Sequence, residues 1–299
     1  MSLCILLIDP KIASNLKSAC FGIGIRKDAE SGPLLVSGTG FFIDSNGFFV
    51  TAGHVVEEME SQIEILKNRF PDAQLAAVRI TQEEKKVRIN THSIKARVNV
   101  NVVETPTYYG QERFDVCVGR VQGTFGNLPF LNIKDQQPHK LYSDVLMCGY
   151  PGGSQTLHTF TKERGLKTSP IMQRGIISSI IPSDNATKPI GIITDIIGTG
   201  GSSGSPIIDA NDGEVIAIAQ QVVGGDVTTR LINNNNIHDF FGTVNIGVTF
   251  GVSNYMLYPT VRAAKKRLSE VVDANGNIIG DPMKVTETMK IDMGGNKID

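Results

Sequence analysis

From Cys20 to Phe250 the chain is a succession of short apolar, β-branched runs separated by Gly, Pro and Asn, and this punctuation is what most constrains its fold. Residues 20–25, 34–37, 40–50, 86–89, 96–103, 144–148, 175–178, 190–193, 215–219 and 244–250 have the length and composition of strands. Asp44-Ser45-Asn46-Gly47 breaks one of these runs with an Asn-Gly pair, which tolerates the positive φ of a hairpin turn. Residues 96–103 alternate apolar and polar side chains, so one face of that strand is expected in solvent. Many short strands with turn residues between them make a sandwich or a barrel. Two segments break the pattern. Val56, Met59, Ile63 and Leu66 recur at helical spacing, and Val261, Ala264, Leu268 and Val271 do so after Pro259, which suits a first helical turn. Residues 1–18 give no decisive period, and residues 123–129 read as a linker.

One stretch resists any regular element. Gly198-Thr199-Gly200-Gly201-Ser202-Ser203-Gly204-Ser205-Pro206 has four glycines in its first seven positions, too many for a helix or strand interior. Such a loop turns sharply and can aim backbone N–H groups at one point. A serine within it can therefore combine a nucleophile with an oxyanion site, as acyl transfer requires. A plain Gly/Ser surface loop has the same composition. What separates the two readings is whether a base, and a group to orient that base, lie elsewhere in the chain.

Both residue types are present upstream, in the order His, Asp, Ser. His54 ends the strand-like run in Thr51-Ala52-Gly53-His54-Val55, and Asp115 opens Asp115-Val116-Cys117-Val118. With Thr194-Asp195 and Gly201-Ser202-Ser203-Gly204-Ser205-Pro206, these segments resemble the trypsin-like serine proteases, and most closely the protease domain of the HtrA/Deg family. Gly149-Tyr150-Pro151-Gly152 and Arg174-Gly175-Ile176-Ile177-Ser178 add fainter echoes. The resemblance runs from about Ala19 to Ser253. It departs at Ser205, where the family has glycine, and at Ser202, where it has asparagine or aspartate.

The resemblance implies an all-β fold of two antiparallel six-stranded barrels with a C-terminal helix packed on the second. Residues 1–125 would carry His54 and Asp115, residues 126–273 Ser203 and the helix, and residues 274–299 a tail. It implies a serine endopeptidase acting on protein or peptide substrates, with His54, Asp115 and Ser203 as triad and the N–H groups of Gly201 and Ser203 as oxyanion hole. Ile197 would lie at the base of the specificity pocket, with Gln220 and Val222 along its wall, favouring small aliphatic side chains. The tail is too short for the PDZ domain that commonly follows in that family.

Two other readings compete. Gly200-Gly201-Ser202-Ser203-Gly204 fits the nucleophile elbow of α/β-hydrolases with Ser202 as nucleophile, but that fold alternates strands with helices. A silent protease fold kept for peptide binding or scaffolding is the non-enzymatic alternative.

Composition narrows the partners. A net charge of −1 gives no electrostatic footprint for nucleic acid, and no apolar run approaches the ~20 residues of a membrane span. The apolar start, residues 3–8, lacks a basic flank and is shorter than the ~7–15 residues of a signal-peptide core. Cys4, Cys20, Cys117 and Cys148 show no pairing pattern, so reduced thiols and a cytoplasmic location are expected. His92, His139, His158 and His238 lack metal-ligand spacing, and no metal or cofactor is expected.

Overall fold

Strand alternation resolves the chain into two closed antiparallel barrels, seen in a computed structural model that describes residues 8–28, 33–83, 86–102, 115–154, 169–233, 236–280 and 289–291. Helix α1 (Pro10–Ala19) leads into the first barrel. That barrel consists of β1 (Cys20–Arg26), β2 (Pro33–Phe42), β3 (Phe48–Ala52), β4 (Gln74–Glu83), β5 (Lys86–Val102) and β6 (Val116–Val121), with α2 (Gly53–Leu66) between β3 and β4. The β1–β4 and β5–β6 pairings close the ring β1-β2-β3-β6-β5-β4. The second barrel is the closed ring β10-β11-β12-β9-β8-β7. Its strands are β7 (Asp144–Gly149), β8 (Ile171–Ile181), β9 (Gly191–Thr194), β10 (Pro206–Asp209), β11 (Val215–Asn233) and β12 (Asn236–Ser253).

Period-two side-chain direction sorts the apolar residues into three cores. Phe21, Phe42 and Phe49 fill the first barrel, Phe21 lying 4.5 Å from Phe42 and 5.5 Å from Phe49 between ring centroids. Val145, Met147, Ile192, Ile207 and Ala217 fill the second. The outward residues of the same strands, among them Val98, Val116, Val118, Leu146 and Ile208, form the third core.

Helix α3 (Asn254–Val271) completes that third core with Leu257, Ala264 and Leu268. It packs against β5 and β6 as well as β11 and β12, so it bridges the barrels rather than covering the second alone. It also begins before Pro259. Ser253 caps it by accepting the Tyr255 N–H at 3.2 Å, and Pro259 sits inside. The Tyr255 carbonyl, which an N–H at position 259 would have satisfied, accepts the Gln136 side-chain amide at 2.9 Å instead.

Other expectations change with tertiary packing. Residues 86–89 and 96–103 belong to one long strand, β5, as far as Val102. Its polar face is not left to solvent, because Arg97 pairs with Glu60 and Asn99 donates to Glu57 at 3.2 Å, both acids on α2. After α3 the tail returns to the first barrel, where β13 (Met289–Ile291) pairs in parallel with β5.

The barrels are joined polar to polar through Thr39, fully buried on β2. Its N–H donates to the Ser203 carbonyl at 2.9 Å, and its hydroxyl donates to the Gly201 carbonyl at 2.9 Å. That hydroxyl also accepts the Tyr150 N–H at 3.0 Å, while the Thr39 carbonyl accepts from the Thr51 hydroxyl at 2.7 Å. One side chain from the first barrel thus fixes two loops of the second. Thr39→Val preserves shape but leaves a buried carbonyl and a buried N–H unpaired, which costs about 1–3 kcal/mol. Urea unfolding should show that loss, and an unchanged midpoint would contradict the role assigned to Thr39.

Candidate active site

Gly53 and His54 lie at the start of α2, directly after β3. Ala52, the N-cap residue, has no side chain able to hold the helix's first N–H groups. Asp115, just before β6, supplies that function from the strand paired with β3. Its carboxylate accepts the His54 backbone N–H at 3.0 and 2.8 Å, and its carbonyl accepts the Gly53 N–H at 3.3 Å. The same carboxylate meets His54 Nδ1 at 2.5 Å. Gly53 is required here, since a Cβ at that position would stand 2.2 Å from Asp115 Oδ1.

The hydrogen bond with Asp115 raises the His54 pKa above 6.5, partial burial opposes it, and the charges of Asp115, Glu58 and Glu57 add to the rise. The imidazole is 44% exposed, so solvent screens part of the effect.

Ser203 lies in the turn between β9 and β10, on the opposite barrel. Gly201 has φ +89°, a region that strains residues bearing Cβ, and an added Cβ would stand 2.4 Å from the Tyr150 carbonyl. The Gly200 carbonyl accepts the Gly152 N–H at 2.6 Å. Because the peptide is planar and trans, this turns the Gly201 N–H the opposite way. Among the described residues, neither the Gly201 nor the Ser203 N–H has a hydrogen-bond acceptor. The Ser203 hydroxyl donates to the Gln220 carbonyl on β11 at 3.2 Å, not to His54.

His54, Gly201 and Ser203 line one cavity of about 780 Å³ between the barrels, with Leu35, Val36 and Glu58 among its other walls. Ser202 is buried, its hydroxyl accepting the Thr199 N–H at 3.1 Å. That position, on an all-β fold, removes the nucleophile-elbow reading. Asp195 accepts the Ile176 N–H at 2.7 Å and so anchors the loop to β8.

Two of the three residues expected at the specificity pocket, Ile197 and Gln220, have described side chains. Ile197 is 55% exposed and does not line this cavity. Gln220 donates its side-chain amide to the Asp115 carbonyl, 3.0 Å away. The Val222 side chain lies outside the described residues. Thr39 and Gln220 contribute to the site through long-range partners that no local motif marks.

Remaining polar groups lie apart from this cleft. His139 joins Ser253 Oγ at 2.7 Å, and burial pushes its pKa down to about 4. Cys20, Cys117 and Cys148 are free and buried, and burial pushes the Cys117 thiol up to about 12. Cys4 and His158 lie outside the described residues, as does the His238 side chain. Among the described residues no group of three or more His, Cys, Asp or Glu is placed to hold a metal ion, and no helix is long and apolar enough to cross a membrane.

Comparison with known proteins places this geometry. The family described as "Trypsin-like peptidase domain" matches residues 38–218, more than half of the chain, and the match includes His54, Asp115 and Ser203. Among solved structures, "HtrA-type protease AlgW with decapeptide" is similar in fold, with a TM-score of 0.50 and 13% identity. The match covers 85% of this chain and 66% of that one, so the chain spans less than two thirds of that protein's length. No curated protein matches the sequence.

The pair geometry makes a titration prediction. The His54 imidazole should titrate above 6.5 by NMR, and Asp115→Asn should lower its midpoint. Because the folded-state pKa is raised, the pair's stabilisation is fully present below about pH 6.5 and is lost as pH rises through the folded value. An unshifted midpoint in Asp115→Asn would contradict the assigned cause.

Proposed function

For a chain that belongs to the trypsin-like peptidase domain family, we propose serine endopeptidase activity, with Ser203 as nucleophile, His54 as general base and acid, and Asp115 as the group that orients His54. The observation that carries this reading is the convergence of a carboxylate-held imidazole and an amide-flanked serine on one cavity.

The steps follow from those positions. Ser203 Oγ attacks the substrate carbonyl carbon while His54 Nε2 takes the hydroxyl proton. The carbonyl oxygen gains the negative charge, and the N–H groups of Gly201 and Ser203 stabilise it. The imidazolium, stabilised by Asp115 at Nδ1, then protonates the leaving amine. An acyl-enzyme remains on Ser203, and water attacks it with His54 again as base. Before attack the Ser203 hydroxyl must leave the Gln220 carbonyl, a side-chain rotation that is fast on the scale of turnover. In this reading the acyl half of the substrate would run toward β11, and the leaving half would enter the cavity that Gly201, Val36 and Glu58 line.

The silent peptide-binding reading has one observation in its favour, the engagement of the Ser203 hydroxyl with Gln220 instead of His54. A biotinylated phosphonate directed at active serines separates the two. Wild-type protein should be labelled on Ser203 and should cleave an unfolded protein substrate. Ser203→Ala should lose both properties with its fold intact, whereas Ser202→Ala should retain both. Absence of label and cleavage in the wild type would favour the binding module.

A further inference from the structure

The cavity beside the His54–Ser203 pair has one charged wall besides the imidazole. Its described lining includes no lysine or arginine, and Glu58 is its single carboxylate. Glu58 follows His54 by four residues on α2, so the two side chains share a helix face one turn apart. The other acids of this helix are engaged elsewhere. Glu57 accepts from Asn99 Nδ2 at 3.2 Å, Glu60 is paired with Arg97, and Glu64 is paired with Lys67 at 2.5 Å. Among the described residues the hydrogen-bond partner of Glu58 is the Ser37 hydroxyl, at 3.2 Å, which holds the carboxylate at the cavity wall without neutralising it.

We propose that Glu58 selects substrates carrying a lysine or arginine side chain within the first two residues after the scissile bond. The inference rests on the endopeptidase reading, which puts the leaving half of the substrate in this cavity. The leaving amine is protonated at His54, and the carboxylate one turn further along α2 lies beside the residues that follow. In extended chain these advance about 3.3 Å each. The remaining wall suits the same side chains. Half-buried Leu35 offers apolar surface to an aliphatic stem, while Glu58 meets its cationic end. An acidic residue at the same place would face Glu58 with like charge. Specificity here comes as much from that repulsion as from the attraction.

The test uses fluorogenic peptides that share one acyl half, chosen by cleaving a peptide library with the wild-type protein. They carry Lys, Ala or Glu at each of the first two positions after the scissile bond. At low salt kcat/KM should fall in the order Lys, Ala, Glu, with Lys ahead of Glu by about tenfold at the more sensitive position. Raising salt to ~1 M should shrink that ratio, because screening then acts over only ~3 Å. Glu58→Gln should bring the ratio close to unity, and Glu58→Lys should invert it. Glu58 is exposed, so both variants should fold, as a melting curve will show. A ratio within twofold in the wild type, or one that neither substitution moves, overturns the inference while leaving the endopeptidase reading intact. Failure of the wild-type protein to cleave any library peptide or to take the phosphonate overturns both.

Discussion

The Asp115 carboxylate is the contact on which the site depends, because it organises backbone and side chain at once. Helix α2 starts at a residue unable to cap it, and Asp115 supplies the missing acceptor to the His54 N–H. A carboxylate at a helix N-terminus is favoured by the macrodipole as well as by the unpaired N–H groups. The same oxygen that meets this N–H also meets Nδ1 of the ring. Helix start, ring orientation and ring basicity therefore come from one side chain. Its closeness also explains Gly53, where no Cβ fits.

That contact belongs wholly to the first barrel, and the serine belongs to the second. The geometry between them is set by packing across the barrel interface. Outward residues of β5, β6, β7 and β10 share an apolar core with α3, and α3 touches both barrels. Thr39 then adds direction to this apolar contact by fixing the carbonyls of Gly201 and Ser203. Gln220 adds a second tie, with its amide on the Asp115 carbonyl and its own carbonyl receiving the Ser203 hydroxyl. The Ser203 hydroxyl is thus held on the strand that also holds the Asp115 backbone.

Much of this was legible in the chain. The strand runs and turns led to an all-β barrel fold because β-branched residues and glycine punctuation act locally. The glycine at position 201 was legible because only backbone freedom explains it, and φ +89° bears that out. Helix α1 escaped notice although Asp9-Pro10 is a start signal, with the Asp9 carboxylate accepting the Lys11 N–H at 2.8 Å and Pro10 at the head of the helix. The start of α3 was misplaced because the donor that satisfies its Tyr255 carbonyl, the Gln136 side-chain amide, lies 119 residues away. The tie from Gln220 to the Asp115 carbonyl was hidden for a related reason, since that partner on the first barrel is visible only after folding. Long-range pairing likewise hid the covered face of β5 and the role of Thr39.

The proposed activity requires Ser203, His54 and the Gly201 and Ser203 amides to act on one reacting group. The most direct measurement is a crystal structure of the protein after reaction with a peptidyl phosphonate. The adduct should sit on Ser203 Oγ, released from the Gln220 carbonyl, with a phosphoryl oxygen about 2.7–3.1 Å from both amides. His54 should keep Asp115 at Nδ1 while Nε2 faces the adduct. A phosphoryl oxygen turned away from both amides, or phosphorus bound to Ser202, would contradict the account.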